Sequence, residues 1–217
     1  MPGALETLLN QFMDMGIPAF DCLVYYKGNE VYHRRAGFSD YEKTKPLDTD
    51  QWFNIYSTSK LMTVSAVLQL VESGTLRLQD RLSGFFPEFS HMQVKTEHGI
   101  TDAVTPITIE HLLTMSAGFN YDRTYDRPAW VKARAASHGH CPTVQTVRFL
   151  AEEPLEYEPG TDWEYSFAHD ILAAIVEQVS GERFSLYMKR NVFEPLGMIN
   201  STFDPAEIPQ GSICAQY

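Results

Sequence analysis

The sequence predicts an α+β chain in which strands come first and helices follow. Three observations carry that expectation. Two β-rich runs, Phe20 to Tyr26 and Glu30 to Phe38, flank Lys27-Gly28-Asn29, which is a hairpin signal. The apolar stretch from Ser57 to Ser73 is too long for a strand and ends at Gly74, a fitting residue just past a helix. Beyond it, helical periods recur and convincing strands do not, an order that belongs to α+β chains.

Taken in order, Leu5, Leu8, Leu9, Phe12 and Met13 repeat at helical spacing and stop near Gly16 and Pro18. The hairpin follows, and 48–56 reads as extended. In the helix over 57–73, Leu61, Met62, Val64, Ala66, Val67, Leu68, Leu70 and Val71 lie on all sides, which predicts burial all round. Thr108 is placed to cap a helix through Met115, and Thr143 another through Glu152. Ala168, Leu172, Ile175, Val176 and Val179 form an amphipathic helix closed by Gly181. Ser185 opens the last helix, which halts before Pro195. The stretches 95–106 and 120–142 read as long loops, and loops of that length are often functional. A lone hairpin is marginal as a sheet, so either helices cover it or further strands complete it.

The chain has 217 residues, 44% of them hydrophobic, enough for a real core. A net charge of -11 without long single-sign runs argues against a nucleic-acid partner. No segment approaches the roughly 18 apolar residues of a membrane span, and residues 1–16 carry Glu6 and Asp14, unlike a signal peptide. Cys22, Cys141 and Cys214 are dispersed and odd in number, which fits a reduced, cytoplasmic setting unless a leader has been removed. His138, His140 and Cys141 share a loop, but no second cluster completes a structural metal site, so none is expected. His111 and His169 fall on helices, where local hydrogen bonds account for them.

The chemistry-bearing motif is Ser57-Thr58-Ser59-Lys60 at the mouth of the apolar helix. Residues three apart share a helix face, so the amine can reach the hydroxyl. Serine needs a base to become a nucleophile, and burial or nearby positive charge equips a lysine for that work. A helix's first turn adds positive potential and free N–H groups for an oxyanion. The spacing alone arises by chance about as often as not in a chain with this many serines and lysines. The plain alternative is a serine cap followed by a solvent-facing lysine. A helix buried all round would favour the catalytic reading, since a lysine there needs a reason.

Four segments in order strengthen it. Phe53-Asn54-Ile55-Tyr56-Ser57-Thr58-Ser59-Lys60 with Leu68-Gln69-Leu70-Val71-Glu72-Ser73-Gly74 resembles the nucleophile helix of the class C β-lactamase and D-Ala-D-Ala carboxypeptidase group, with its related esterases. Ile107-Thr108-Ile109-Glu110-His111-Leu112-Leu113-Thr114-Met115-Ser116-Ala117-Gly118 is similar to that group's T-I-x-x-L-L-T segment. Glu158-Pro159-Gly160-Thr161-Asp162-Trp163-Glu164-Tyr165-Ser166 resembles its P-G-x-x-W-x-Y-S segment, and Pro195-Leu196-Gly197-Met198 its P-L-G-M. The resemblance implies a β-lactamase/transpeptidase-like fold and a serine hydrolase working through an acyl-enzyme. Ser57 would be the nucleophile, Lys60 its partner and Tyr165 the tyrosine of Tyr-x-Asn that shares the proton work. It calls for no cofactor, and a small-molecule ester or amide would be the substrate.

Two departures qualify that expectation. The motif's asparagine falls at Phe167, whose ring cannot bond a substrate carbonyl; this favours esters, or an unusual amide, over β-lactams. The family's Lys-Thr-Gly or His-x-Gly strand is not found after Tyr165. The expectation is therefore one partial domain over 1–217, roughly the first half to two-thirds of a family member. In it 1–56 hold a helix and the hairpin, 57–205 are mainly helical, and 206–217 begin a return to the sheet. Phe167 and Tyr121 are the candidate substrate-binding residues; Tyr121 belongs to an aromatic group with Tyr125 and Trp130 that either lines a substrate mouth or packs its loop down. The unfinished sheet raises self-association through the amino-terminal hairpin, whose edges would be open. The rival function is a silent or penicillin-binding module without turnover.

Overall fold

The computed structural model describes residues 2–216 and resolves into two compact units. One comprises residues 2–56 and 204–216, and the other Ser57–Phe203.

In the first unit, helix α1 (Pro2–Asp14) precedes an antiparallel hairpin of β1 (Ala19–Tyr26) and β2 (Asn29–Gly37). Ala19 pairs with Gly37 and Tyr26 with Asn29, around a bulge between Val24 and Tyr25. Period-two alternation separates the faces. Glu6 of α1 accepts hydrogen bonds from Tyr32 at 2.8 Å and Arg34 at 2.5 Å, and Asn10 accepts a second from Arg34 at 2.8 Å. On the opposite face Asp21 holds His33 at 2.6 Å and Arg35 at 2.8 Å, beside the exposed Leu23. Gly37 is required where it stands, since a Cβ there would lie 2.1 Å from the Pro18 carbonyl oxygen. Within 48–56 Trp52 pairs through its backbone: its N–H donates to Ser212 O and its carbonyl accepts from Cys214 N–H, both at 2.8 Å. The carboxy-terminal segment thus forms a parallel bridge rather than a strand.

The second unit is built around α6 (Ala168–Ser180), which packs on α2 (Ser59–Glu72), α3 (Ile109–Leu113), α5 (Thr143–Arg148) and α7 (Phe184–Met188). Ala168, Ile171, Leu172, Ala174, Ile175 and Val176 of α6 are fully buried, and Gly181 closes the helix in the left-handed region at φ 71°. A π-helical turn over Lys189–Phe193 extends α7 and stops before Pro195, as expected. Thr108 caps α3 through a reciprocal pair: its Oγ1 accepts from His111 N–H, and His111 Nδ1 accepts from Thr108 N–H, both at 3.3 Å. Histidine here takes the place that glutamate or glutamine usually fills in a capping box.

Four expectations need correction. Residues 95–106 are not a loop: β3 (Gln93–Thr96) and β4 (Gly99–Asp102) make a second hairpin, so the sheet structure is not confined to the amino-terminal pair. Its turn holds only Glu97 and His98, and Val94 is bridged from outside by Leu155. The stretch 120–142 contains α4 (Pro128–Ala136), begun by a proline at its first position. Thr143 is the first helical residue of α5 rather than its cap, and the helix tightens to 3₁₀ over Phe149–Glu152. Finally, α2 is not buried all round. Thr63, Ala66, Val67 and Leu70 form one buried stripe, while Leu61 is 71% and Leu68 47% exposed on the other side.

Candidate active site

A single 3₁₀ turn over Tyr56–Thr58 leads into α2 and sets Ser57 at the helix mouth, with Lys60 one turn on. Ser57 is exposed and Lys60 half-buried. Lys60 Nζ lies 3.5 Å from Ser57 Oγ, at the outer limit of a hydrogen bond. Lys60 is therefore less buried than the apolar pattern implied.

Tyr165 supplies the third group. The segment carrying it is tied to the chain after α3: Gly160 N–H donates to Ser116 O at 2.8 Å, Glu164 N–H to Met115 O at 3.2 Å, and Tyr157 O–H to Met115 O at 3.3 Å. Gly160 is needed there, because at φ +84° a Cβ would meet His111 Nε2 at 3.0 Å. So held, the Tyr165 phenol donates to Ser57 Oγ across 108 residues of sequence. Lys60 Nζ sits 4.8 Å from the centre of the Tyr165 ring and 5.4 Å from that of Tyr121, within cation–π range of both. Burial alone would raise the Tyr165 phenol. Hydrogen bonding to Lys60 and Ser57, with the ammonium charge of Lys60, outweighs that and holds it below its ordinary value.

The aromatic residues divide. Tyr121 packs edge-on against Tyr165 at 4.8 Å and tilted against Phe167 at 4.6 Å; Trp130, from α4, meets Phe167 edge-on at 4.9 Å. Tyr125 does not join them. It is 77% exposed and carries Arg134 over its ring at 3.8 Å. Tyr121 thus reaches the serine's surroundings, Trp130 packs on Phe167, and Tyr125 stays outside.

Among the nearby groups, Glu156 and Asp170 carry no signal in the sequence. Glu156 accepts from Lys95 at 2.7 Å and from Asn120 at 2.8 Å, fixing the residue before Tyr121. Asp170, in the first turn of α6, is open at its surface yet set deep among protein atoms; that setting raises its carboxyl, against the pull of Lys60. His169 is buried, with Nε2 3.3 Å from Leu113 O and Nδ1 without a hydrogen-bond partner among the described residues. Burial lowers its imidazole, and Lys60 adds to the effect against the Leu113 contact. Among the described residues, no three His, Cys, Asp or Glu side chains are gathered to hold a metal ion, and no helix is long and apolar enough to cross a membrane.

A serine hydroxyl, an amine and a phenol in mutual reach are equipped to move one proton on and off the serine oxygen. The Beta-lactamase family model matches residues 5–212. Esterase EstB of Burkholderia gladioli is 32% identical over 196 residues, covering 85% of this chain and 47% of its own length. Among solved structures, EstCE1, described as a hydrolase with promiscuous acyltransferase activity, superposes with a TM-score of 0.73 at 29% identity, over 88% of this chain and 50% of its own. The octameric penicillin-binding protein homologue from Pyrococcus abyssi gives 0.75 at 25% identity, over 99% and 47%. The chain spans about half the length of the relatives it matches.

Proposed function

Given that this chain belongs to the β-lactamase family, we propose that it acts as a serine hydrolase through an acyl-enzyme on Ser57, with esters as its preferred substrates. The observation that carries the proposal is the convergence of Lys60 Nζ and the Tyr165 phenol on Ser57 Oγ. In this reading Ser57 attacks the ester carbonyl while its proton passes to the Lys60–Tyr165 pair. The same pair returns a proton to the departing alcohol, and water then cleaves the acyl group from Ser57. Hydrogen bonding to Lys60 and Ser57 lowers the Tyr165 phenol against its burial, which favours its sharing the proton with Lys60. Free N–H groups in the first turn of α2 would favour the developing oxyanion.

Phe167 and Tyr121 form the wall against which the acyl group rests. Phe167 supports esters over β-lactams, because it presents a ring where the family motif has an amide. The two units are read as parts of a single β-lactamase-like domain, and the three free cysteines, Cys22, Cys141 and Cys214, support residence in the cytoplasm. The hairpin β1–β2, two-stranded and carrying exposed Leu23 and Val31, is the surface proposed for self-association; the octameric assembly named for the archaeal homologue lends support.

The test is parallel acylation with a fluorophosphonate and with benzylpenicillin, read as intact mass over time. The proposal expects rapid addition of the phosphonate and little penicilloyl adduct. A penicilloyl adduct that forms as fast and persists would instead favour a penicillin-binding module.

A further inference from the structure

The aromatic wall is held from behind by one buried cation. Arg127, just ahead of α4, has a side chain only 4% exposed. Its Nε donates to Glu153 Oε2 at 2.7 Å, and Nη2 reaches the same oxygen. Glu153 Oε1 in turn accepts from Ala129 N–H at 3.2 Å, at the start of α4. Nη1 donates to the carbonyl of Asp122 at 2.9 Å, which pins the residue directly after Tyr121. The guanidinium carbon lies 5.2 Å from the Phe167 ring centre and 5.1 Å from that of Trp130. One group therefore fixes both wall residues, Tyr121 through its neighbour's carbonyl and Phe167 through its ring face.

Stability alone is a poor explanation for this arrangement. A buried ion pair is often matched or bettered by apolar side chains of similar volume, since both charges must leave water. What an apolar pair could not do is hold a loop carbonyl and a ring face at set positions from one planar fork.

We propose that Arg127 is a positioning residue that sets the acyl-group specificity of the Ser57 site by holding the Tyr121–Phe167 wall in place. The inference rests on the reading of Ser57 as nucleophile. It assigns Arg127 no contact with Ser57, Lys60 or the reacting atoms, so its loss alters which acyl groups fit rather than the proton transfer itself.

The experiment compares single-turnover acylation by p-nitrophenyl acetate and p-nitrophenyl benzoate in the parent, in Arg127→Lys, and in Arg127→Met/Glu153→Leu, which exchanges the ion pair for apolar contacts. The benzoate-to-acetate rate ratio should fall about tenfold in both variants, the order that a misfitted apolar pocket produces, while the acetate rate changes by less than about threefold. Both variants should keep a cooperative melt. An unchanged ratio in a folded variant overturns the inference and leaves the catalytic reading standing. Failure of both variants to fold makes Arg127 a stability residue and also overturns it. A parent that neither ester acylates removes the catalytic reading first, and the inference with it.

Discussion

Replacing Phe167 by asparagine restores the family's residue at the cost of the wall, and the size of that cost follows from the contacts. Phe167 makes two aromatic pairs, with Tyr121 at 4.6 Å and Trp130 at 4.9 Å. Each such pair contributes roughly 0.5–1.5 kcal/mol beyond burial. The Arg127 guanidinium at 5.2 Å adds about 0.5–2 kcal/mol. The ring is only half-buried, so the lost transfer energy lies near the low end, about 1.5 kcal/mol. These contributions overlap, and about 3–5 kcal/mol is the expected loss. For a chain of this size that is a fall in melting temperature of roughly 6–20 °C. Phe167→Leu keeps apolar volume and should lose only the ring-specific part, about 1.5–3.5 kcal/mol. Thermal melts followed by circular dichroism measure both. The asparagine variant should also acylate more readily with benzylpenicillin relative to an ester than the parent does. A Phe167→Asn protein melting within 2 °C of the parent, or less stable Phe167→Leu than Phe167→Asn, would refute the packing argument.

Lys60→Met should slow acylation by about 100- to 10,000-fold, as loss of a positioned acid–base group does. Its pH profile should move as well: the ammonium of Lys60 holds the Tyr165 phenol down, so removing it lifts that pKa and shifts the rising limb of residual activity to higher pH. A residual rate with an unmoved limb would separate Tyr165 from Lys60. Gly118→Ala should destabilise severely, by about 3 kcal/mol or more, because φ is +87° and a Cβ would lie 2.4 Å from the Tyr157 carbonyl oxygen; a near-parental melt would contradict that. Charged residues at the exposed Leu23 and Val31, as Leu23→Lys and Val31→Lys, should shift any oligomer toward monomer on a sizing column, and an unchanged elution would remove the hairpin as the contact.

Local signals in the sequence were reliable where one short-range rule decides the outcome. The turn at Lys27-Gly28, the left-handed Gly181, the Thr108 cap and the stop before Pro195 all depend on a few neighbouring residues. The second hairpin is hard to read from sequence because Glu97-His98 is a weak turn pair and β4 is exposed along its length, so no apolar alternation marks it. Helix α4 leaves little trace because Tyr125 to Pro142 is rich in alanine, arginine and histidine without a wide apolar stripe; within the helix itself only Ala129 and Ala133 are buried. The exposed Leu61 and Leu68 show the limit of reading burial from composition, since an apolar residue on a helix is buried only where something covers it. At the site, Ser57, Lys60 and Tyr165 were legible through spacing and resemblance. Arg127 was not: nothing near it in sequence announces a glutamate 26 residues on, or a ring 40 positions away.

Which atom becomes acylated decides the role of Ser57. The direct measurement is peptide mapping of the chain after reaction with a fluorophosphonate, carried out on the parent, Ser57→Ala and Ser59→Ala. The geometry predicts one adduct in the parent, on Ser57, the same adduct in Ser59→Ala, and none in Ser57→Ala. An adduct on another residue, or labelling that survives in Ser57→Ala, would contradict it.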